Sequence, residues 1–258
     1  MTSCHGGRAS IWLRGGRGLI YNPYATTRWR TTRPSGQVFY LKAAFVGVYP
    51  SLAAERDRCV WLHSRGAPVP EVIDHDDDGV VEWLLTAGLT GIDATSPQHV
   101  ADPAVTVPLM ANGLRSFHEI DPTGCPFDYQ IPVALEHVAR RVAAGGISAD
   151  GLHDVHRDLD PTSASERLGE LVVDEHRLVV CHGDYTPPNV LLEGGRVVGY
   201  LDLGEVGVAD RWRDLAVATW SVTWNFGAGY EDLFLHSYGV PPDPHRRDLH
   251  RLLYDLES

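Results

Sequence analysis

The chain has 258 residues, a length suited to one large domain or two small ones. Apolar residues make up 43% and charged residues 22%, an ordinary globular composition, and no apolar run approaches the roughly 18 residues of a membrane helix. A net charge of −12 argues against nucleic acid as a partner, and the scattered Cys4, Cys59, Cys125 and Cys181 offer no CxxC pair for zinc or a disulfide framework. The opening "MTSCHGGRAS" lacks the apolar core of a secretory signal, so the expected setting is cytoplasmic, with no membrane and no nucleic-acid partner.

In chain order, the first ninety residues read mostly as strand. "GRGLIYNP" ends in a turn signal, "TTRWRTT" alternates, "RPSG" turns, and "QVFYLKAAF" is a strand rich in β-branched and aromatic residues. The basic stretch Arg28 to Arg33 reads as the exposed face of a strand pair. "SLAAERDRCVWLHSRG" places Leu52, Cys59, Val60 and Leu62 at helical spacing, with Gly66 where a terminating glycine belongs. "APVPEVIDHDDDGVVEWLLTAGL" reads as two strands joined by an acidic turn. The character then changes. "ADPAVTVPLMANGLRSFHEI", "QIPVALEHVARRVAAGG", "RDLAVATWSVTWNFG" and "YEDLFLHSYG" carry helical periodicity. Short strands are expected at 178–181, 189–192 and 197–202. The expected architecture is α+β, with a sheet-rich lobe over 1–88 and a larger helical lobe over 89–258, and a small-molecule site in a cleft between them.

The chemistry gathers in "VVCHGDYTPPNVLL". Asp184 and Asn189 lie five residues apart on a loop flanked by apolar strands, and "VVGYLDLGE" ends a later strand in Asp202. A carboxylate, a carboxamide and a second carboxylate suit phosphoryl transfer. Hard oxygen ligands hold Mg²⁺ against phosphate charge, while a carboxylate orients the attacking hydroxyl. Protein kinases space a catalytic Asp and a metal-binding Asn in this way; here Gly183 replaces the usual Arg. That chemistry also asks for a strand Lys on the nucleotide phosphates and a helical Glu to orient it. Lys42 and Glu55, thirteen residues apart, have the right order and local structure. The plainer reading makes Asp184 a helix cap and has Asn189 bond its own backbone. It leaves the alignment of Lys42, Glu55 and Asp202 unexplained.

From about residue 36 onward the chain resembles the aminoglycoside phosphotransferase family, most closely its 3′-phosphotransferase branch. The resemblance rests on "AERDRCVWLHSRGAPVPEV", "LRSFHEIDPTGCPFD" and above all "LVVCHGDYTPPNVLLEGGRVVGYLDLGEVGVADRWRDLAVA". It implies a protein-kinase-like two-lobed fold using ATP, with GTP as the alternative, and Mg²⁺. Asp184 would be the catalytic carboxylate, Asn189 and Asp202 metal ligands, and Lys42, oriented by Glu55, the phosphate clamp. His182 would brace the loop. Adenine would bond backbone near Ala87 and Leu89, and the segment from Asn22 to Thr26 would lie near the phosphates.

The acceptor side departs from the family. Where similar enzymes carry an Arg-Asp pair and further acidic residues, this chain has Trp220, Ser221, Trp224 and Asn225. Glu205 replaces the Arg of a GRxGxAD segment, and the C-terminus reads "YDLES", with Asp255 and Glu257 but no terminal Phe. Indole faces suit sugars and planar bases, so a nucleoside antibiotic of the capuramycin kind is the first expectation for the small-molecule acceptor. An aminoglycoside bound through a rearranged acidic patch of Asp154, Glu205, Asp255 and Glu257 is the alternative. Trp220 and Trp224, four apart on a helix, also fit a purely core role. A non-catalytic kinase-fold binding protein is a further alternative, and the expected assembly is a monomer or homodimer.

Overall fold

The computed structural model describes residues 19–20, 26–147, 152–175 and 177–257. Asn22, expected near the phosphates, lies outside them. The chain divides into two compact units, one running through Gly91 and including Val198–Glu205, the other comprising Ile92–Val197 and the chain from Val206 onward.

The first unit is an antiparallel sheet in the order β1-β2-β3-β5-β4, formed by β1 (Leu19–Ile20), β2 (Thr26–Thr32), β3 (Val38–Phe45), β4 (Val72–Asp77) and β5 (Val81–Ala87). The "RPSG" turn between β2 and β3 closes with the Arg33 N–H on the Gln37 carbonyl at 2.8 Å, and Gly36 supplies its positive φ of 87°. In the acidic turn before β5, one Asp78 oxygen accepts from Val80 and Val81 N–H at 2.9 and 2.8 Å. Those bonds hold its carboxyl below the usual range. The register sets Arg28 opposite Lys42, which puts both side chains on one face of the sheet.

Helix α1 (Leu52–Ser64) packs against this sheet and is gripped at its start. The Ser51 hydroxyl accepts from Ala54 N–H at 3.1 Å, and the buried Glu82 carboxylate of β5 accepts from Leu52 and Ala53 N–H at 2.9 and 3.1 Å. An anion there satisfies two of the helix's four unpaired donors and complements its dipole. The buried face is Leu52, Glu55, Cys59 and Leu62, whereas Val60 is 55% exposed. The apolar spacing that enlisted Val60 is corrected, because the fold turns Glu55 inward on the face a hydrophobe would have taken.

The second unit is mainly helical: α2 (Pro97–Val100), α3 (Pro103–Phe117), α4 (Ile131–Ala143), α5 (Pro161–Leu171), α6 (Trp212–Phe226), α7 (Glu231–Tyr238) and α8 (Pro244–Glu257). Its main core joins Ile131, Ala134 and Val138 of α4, Ala164 and Leu168 of α5, and Leu249, Leu252, Leu253 and Leu256 of α8. Helix α5, which the sequence pattern did not announce, starts on Asp160, whose carboxylate accepts from Thr162 and Ser163 N–H. Two small ladders carry the loops. Strand β7 (Leu178–Cys181) pairs antiparallel with β10 (Gly207–Asp210), and β8 (Val190–Glu193) lies between β6 (Ile92–Asp93) and β9 (Arg196–Tyr200). Buried Gly113 of α3 is there because a Cβ would stand 2.3 Å from Val197 Cγ2 and 3.0 Å from Tyr185 Oη. Among the described residues, no helix is long and apolar enough to cross a membrane.

Candidate active site

In the first unit, Lys42 of β3 reaches Glu55 of α1 and Asp202, with Nζ 2.5 Å from Glu55 Oε1 and 2.5 Å from Asp202 Oδ1. Burial works to depress the ammonium, but the two carboxylates outweigh it and hold Lys42 above its usual range, so it is a permanent cation. Asp202 lies just beyond β9 with φ +57°, the one described non-glycine residue in the left-handed region. Strain of that kind concentrates at functional sites. Burial pushes its carboxyl up; Lys42 and Arg28 override this and hold it well below the usual carboxylate range. Arg28 contributes through Nη2, 2.8 and 2.9 Å from the two oxygens of Asp202. Reading 28–33 wholly as an exposed face is therefore corrected: Arg30 and Arg33 are exposed, but Arg28 turns onto the Asp202 carboxylate. Thr26 opens β2 opposite Ala44. The Ala87 N–H is committed to the Glu71 carbonyl at 2.9 Å, and Leu89 follows in the segment between β5 and β6.

In the second unit, β7 delivers the chain into His182-Gly183-Asp184, with Gly183 at φ 89°. The loop is held from below by Asp214 in the first turn of α6. Its fully buried carboxylate accepts from His182 N–H at 2.6 Å, Gly183 N–H at 2.8 Å and His118 Nε2 at 2.9 Å. Burial would raise this carboxyl, but the His118 bond and the neighbouring imidazoles hold it low. His118 is in turn fixed by the Tyr238 hydroxyl at 2.7 Å, a phenol that burial has pushed up to about 12. Cys181 also lies beside His118 and Asp214. Its thiol is turned to the Asp210 carbonyl at 3.4 Å, so the group is a hydrogen-bonded knot under the loop, not a metal site. His182 is buried, ring to ring with Phe117 and Tyr185, and its Nδ1 accepts from the Asp184 N–H at 3.3 Å. It braces the loop as expected.

Asp184 is itself half-buried. The Asn189 amide donates to Asp184 Oδ2 at 2.8 Å and to its carbonyl at 3.1 Å. Because Nδ2 faces Asp184, the Asn189 oxygen is turned away from it. The other carboxylate oxygen, Oδ1, accepts from the Tyr254 hydroxyl of α8 at 3.1 Å.

The residues expected to contact the acceptor are distributed differently. Trp220 is buried, while Trp224, one turn further along α6, is 48% exposed. Trp220 is thus core, as the plainer reading held, and Trp224 stacks on His153 with centroids 4.5 Å apart and planes 6° from parallel. The Asn225 amide is spent on Ser221 of its own helix, at 2.8 Å from the carbonyl. The acidic patch is corrected as well. Asp255 is buried and bonded to both His153 and His156, Glu257 is buried against Arg213 at 2.7 Å, and exposed Asp154 pairs with Arg157 at 2.7 Å. Each of these carboxylates already has a side-chain partner. Glu205 belongs to the first unit.

A sequence profile described as the phosphotransferase enzyme family matches residues 24–250. The chain belongs to that family. Aminoglycoside 3′-phosphotransferase of Streptomyces fradiae is 35% identical over 212 residues, covering 79% of this chain and 76% of that protein. Streptomycin 3″-kinase of Streptomyces griseus is 34% identical over 220 residues, covering 80% of each. Among solved structures, an aminoglycoside-3′-phosphotransferase of type VIII superposes with a TM-score of 0.82 at 30% identity, covering 94% of both chains. An aminoglycoside phosphotransferase of Streptomyces rimosus, in complex with ADP and streptomycin, gives 0.77 at 28%, covering 90% of both. This member of the aminoglycoside phosphotransferase family has the kinase-like fold, and it is an ATP-dependent phosphotransferase. Sequence reasoning missed Arg28, Asp214, His153, His156 and Tyr254. Only Asp214, in the "RWRDLAVA" run that resembles the family core, carried a signal that could have pointed to it.

Proposed function

We propose that this enzyme transfers the γ-phosphoryl group of ATP to a hydroxyl of an aminoglycoside antibiotic. The observation that carries the reading is the half-exposed Asp184 carboxylate, steered by Asn189 and already accepting one hydroxyl proton, from Tyr254. An acceptor O–H presented to the same oxygen is aligned and loses its proton as its oxygen attacks phosphorus and ADP leaves; such a base contributes roughly 10²–10⁴-fold. Lys42, kept charged by its carboxylates, neutralises the nucleotide phosphates, with Glu55 fixing its direction. The Asn189 amide oxygen and the Asp202 carboxylate are hard oxygen donors that fit Mg²⁺. When bound, Mg²⁺ supplies positive charge to the phosphate oxygens.

The acceptor expectation is revised. Relatives aligned over about four-fifths of the chain act, by name, on aminoglycosides and streptomycin, which favours an aminoglycoside over a capuramycin-type nucleoside. The structure weakens the contrary argument, because Trp220 is core and Asn225 bonds its own helix. The chain's charge of −12 also draws a polycation toward it.

The test is ADP release with Mg·ATP and kanamycin, neomycin, streptomycin or a capuramycin-type nucleoside, for the parent and Asp184→Asn. At least one aminoglycoside should be turned over with a kcat/KM above about 10⁴ M⁻¹s⁻¹, and the variant should lose at least about 10²-fold in kcat. Turnover of the nucleoside alone, or an undiminished variant, would overturn the reading; no turnover of any acceptor would return the chain to a binding role.

A further inference from the structure

The catalytic carboxylate already has a hydroxyl donor, and that donor belongs to the protein. Helix α8 is fixed by Leu249, Leu252, Leu253 and Leu256 in the core. Asp255 is anchored by His153 and His156. With one face of the helix so committed, Tyr254 is aimed at Asp184, its ring 6.2 Å from that of His153 and its hydroxyl 3.1 Å from Oδ1. Asn189 takes Oδ2, so Oδ1 is the oxygen an acceptor hydroxyl would meet.

We propose that Tyr254 is a placeholder for the acceptor: its phenol O–H occupies the acceptor hydroxyl's position on Asp184 Oδ1 and is displaced when an acceptor sugar docks. This deepens the phosphotransferase reading and rests on Asp184 being the base. Two consequences follow from the chemistry. Water, the most abundant hydroxyl nucleophile, finds Oδ1 taken, so idle transfer of the γ-phosphoryl group to water is held down. Every true acceptor must replace one charge-assisted hydrogen bond, and that cost appears in KM. Tyr254 is therefore a positioning residue that acts through Asp184 and takes no proton itself.

The experiment compares the parent, Tyr254→Phe, Tyr254→Leu and Asp184→Asn. ADP release is followed with Mg·ATP alone, then with the best aminoglycoside from the panel above, and folding is checked by thermal unfolding. Tyr254→Phe keeps the ring and removes only the hydroxyl. Its acceptor-independent ATP hydrolysis should rise about threefold to tenfold, and its acceptor KM should fall by a similar factor, the range set by one net hydrogen bond. Its kcat should stay within about twofold, since an occupied acceptor site has already expelled the phenol. Should Tyr254→Phe fail to fold, Tyr254→Leu reads the same two quantities. Idle hydrolysis and KM both unchanged, or a fall in kcat at constant KM, would refute the placeholder. A fully active Asp184→Asn would instead refute the underlying assignment of the base.

Discussion

Asp214→Asn isolates the support of the His182–Asp184 loop. The carboxylate serves three donors, with Oδ2 taking His182 N–H and His118 Nε2 and Oδ1 taking Gly183 N–H, all in a fully buried environment. The amide keeps the volume but turns one oxygen into a donor. Its least disruptive orientation puts the new NH₂ at the Oδ1 position, against the Gly183 N–H, so two buried donors face each other. Each unmet buried group costs about 1–3 kcal/mol, roughly 2–6 kcal/mol together. That is a large part of the roughly 5–15 kcal/mol that holds a domain folded. With a urea slope near the upper end of the usual range, about 3 kcal/mol per molar, the unfolding midpoint should fall by about 0.7–2 M. Activity should fall further than stability, because a loop shift of about 1 Å can cost on the order of 10²-fold in rate. Tryptophan fluorescence in urea and steady-state kcat under folding conditions measure the two effects. A midpoint within about 0.2 M of the parent, with kcat unchanged, would show that Asp214 does not position the loop.

His250 is buried, its Nε2 has no hydrogen bond among the described residues, and burial pushes its pKa down to about 4. The unfolded chain takes up this proton near pH 6.5 while the fold refuses it, so stability is lost as pH falls from about 6.5 to 4, by about 3 kcal/mol. Denaturation at several pH values should show His250→Leu losing that part of the slope. Gly113→Ala should cost about 1–3 kcal/mol through overpacking against Val197, and Val197→Ala in the same chain should recover part of it; a midpoint equal to the parent's would show the contact relaxes freely. Glu257→Gln takes the compensating carboxylate charge from buried Arg213 and should cost about 3–5 kcal/mol in urea unfolding. Asp154→Asn, breaking the exposed pair with Arg157, should change stability by less than about 1 kcal/mol.

What could be read from the chain was local. Asp184 and Asn189 lie five residues apart on one loop, and Lys42 and Glu55 thirteen apart across one strand–helix connection, so type, order and spacing named them together. The strands around them showed in β-branched content. On α1 the apolar spacing found Leu52, Cys59 and Leu62 on the buried face but added exposed Val60 and passed over Glu55, because one place on that face is held by a carboxylate. The residues that were missed meet their partners across long stretches of chain: Arg28 finds Asp202 174 residues away, Asp255 finds His153 102 away, and Tyr254 finds Asp184 70 away. No spacing rule spans such distances. Trp220 and Trp224 share a helical stripe, but the core covers only the first, and that choice belongs to the packing of α6.

Helix α6 carries two jobs at its two ends. Its first turn holds Asp214 under the His182–Asp184 loop, in a run buried from Trp212 to Val222. Its last turn puts Trp224 into solvent beside His153. Substitutions at the exposed end alter the Trp224–His153 surface, while the buried end keeps the His182–Asp184 loop in place. The two ends of α6 can therefore be altered separately: its last turn, residues 223–226, is only partly buried, whereas Asp214 is tied to the loop by three buried hydrogen bonds.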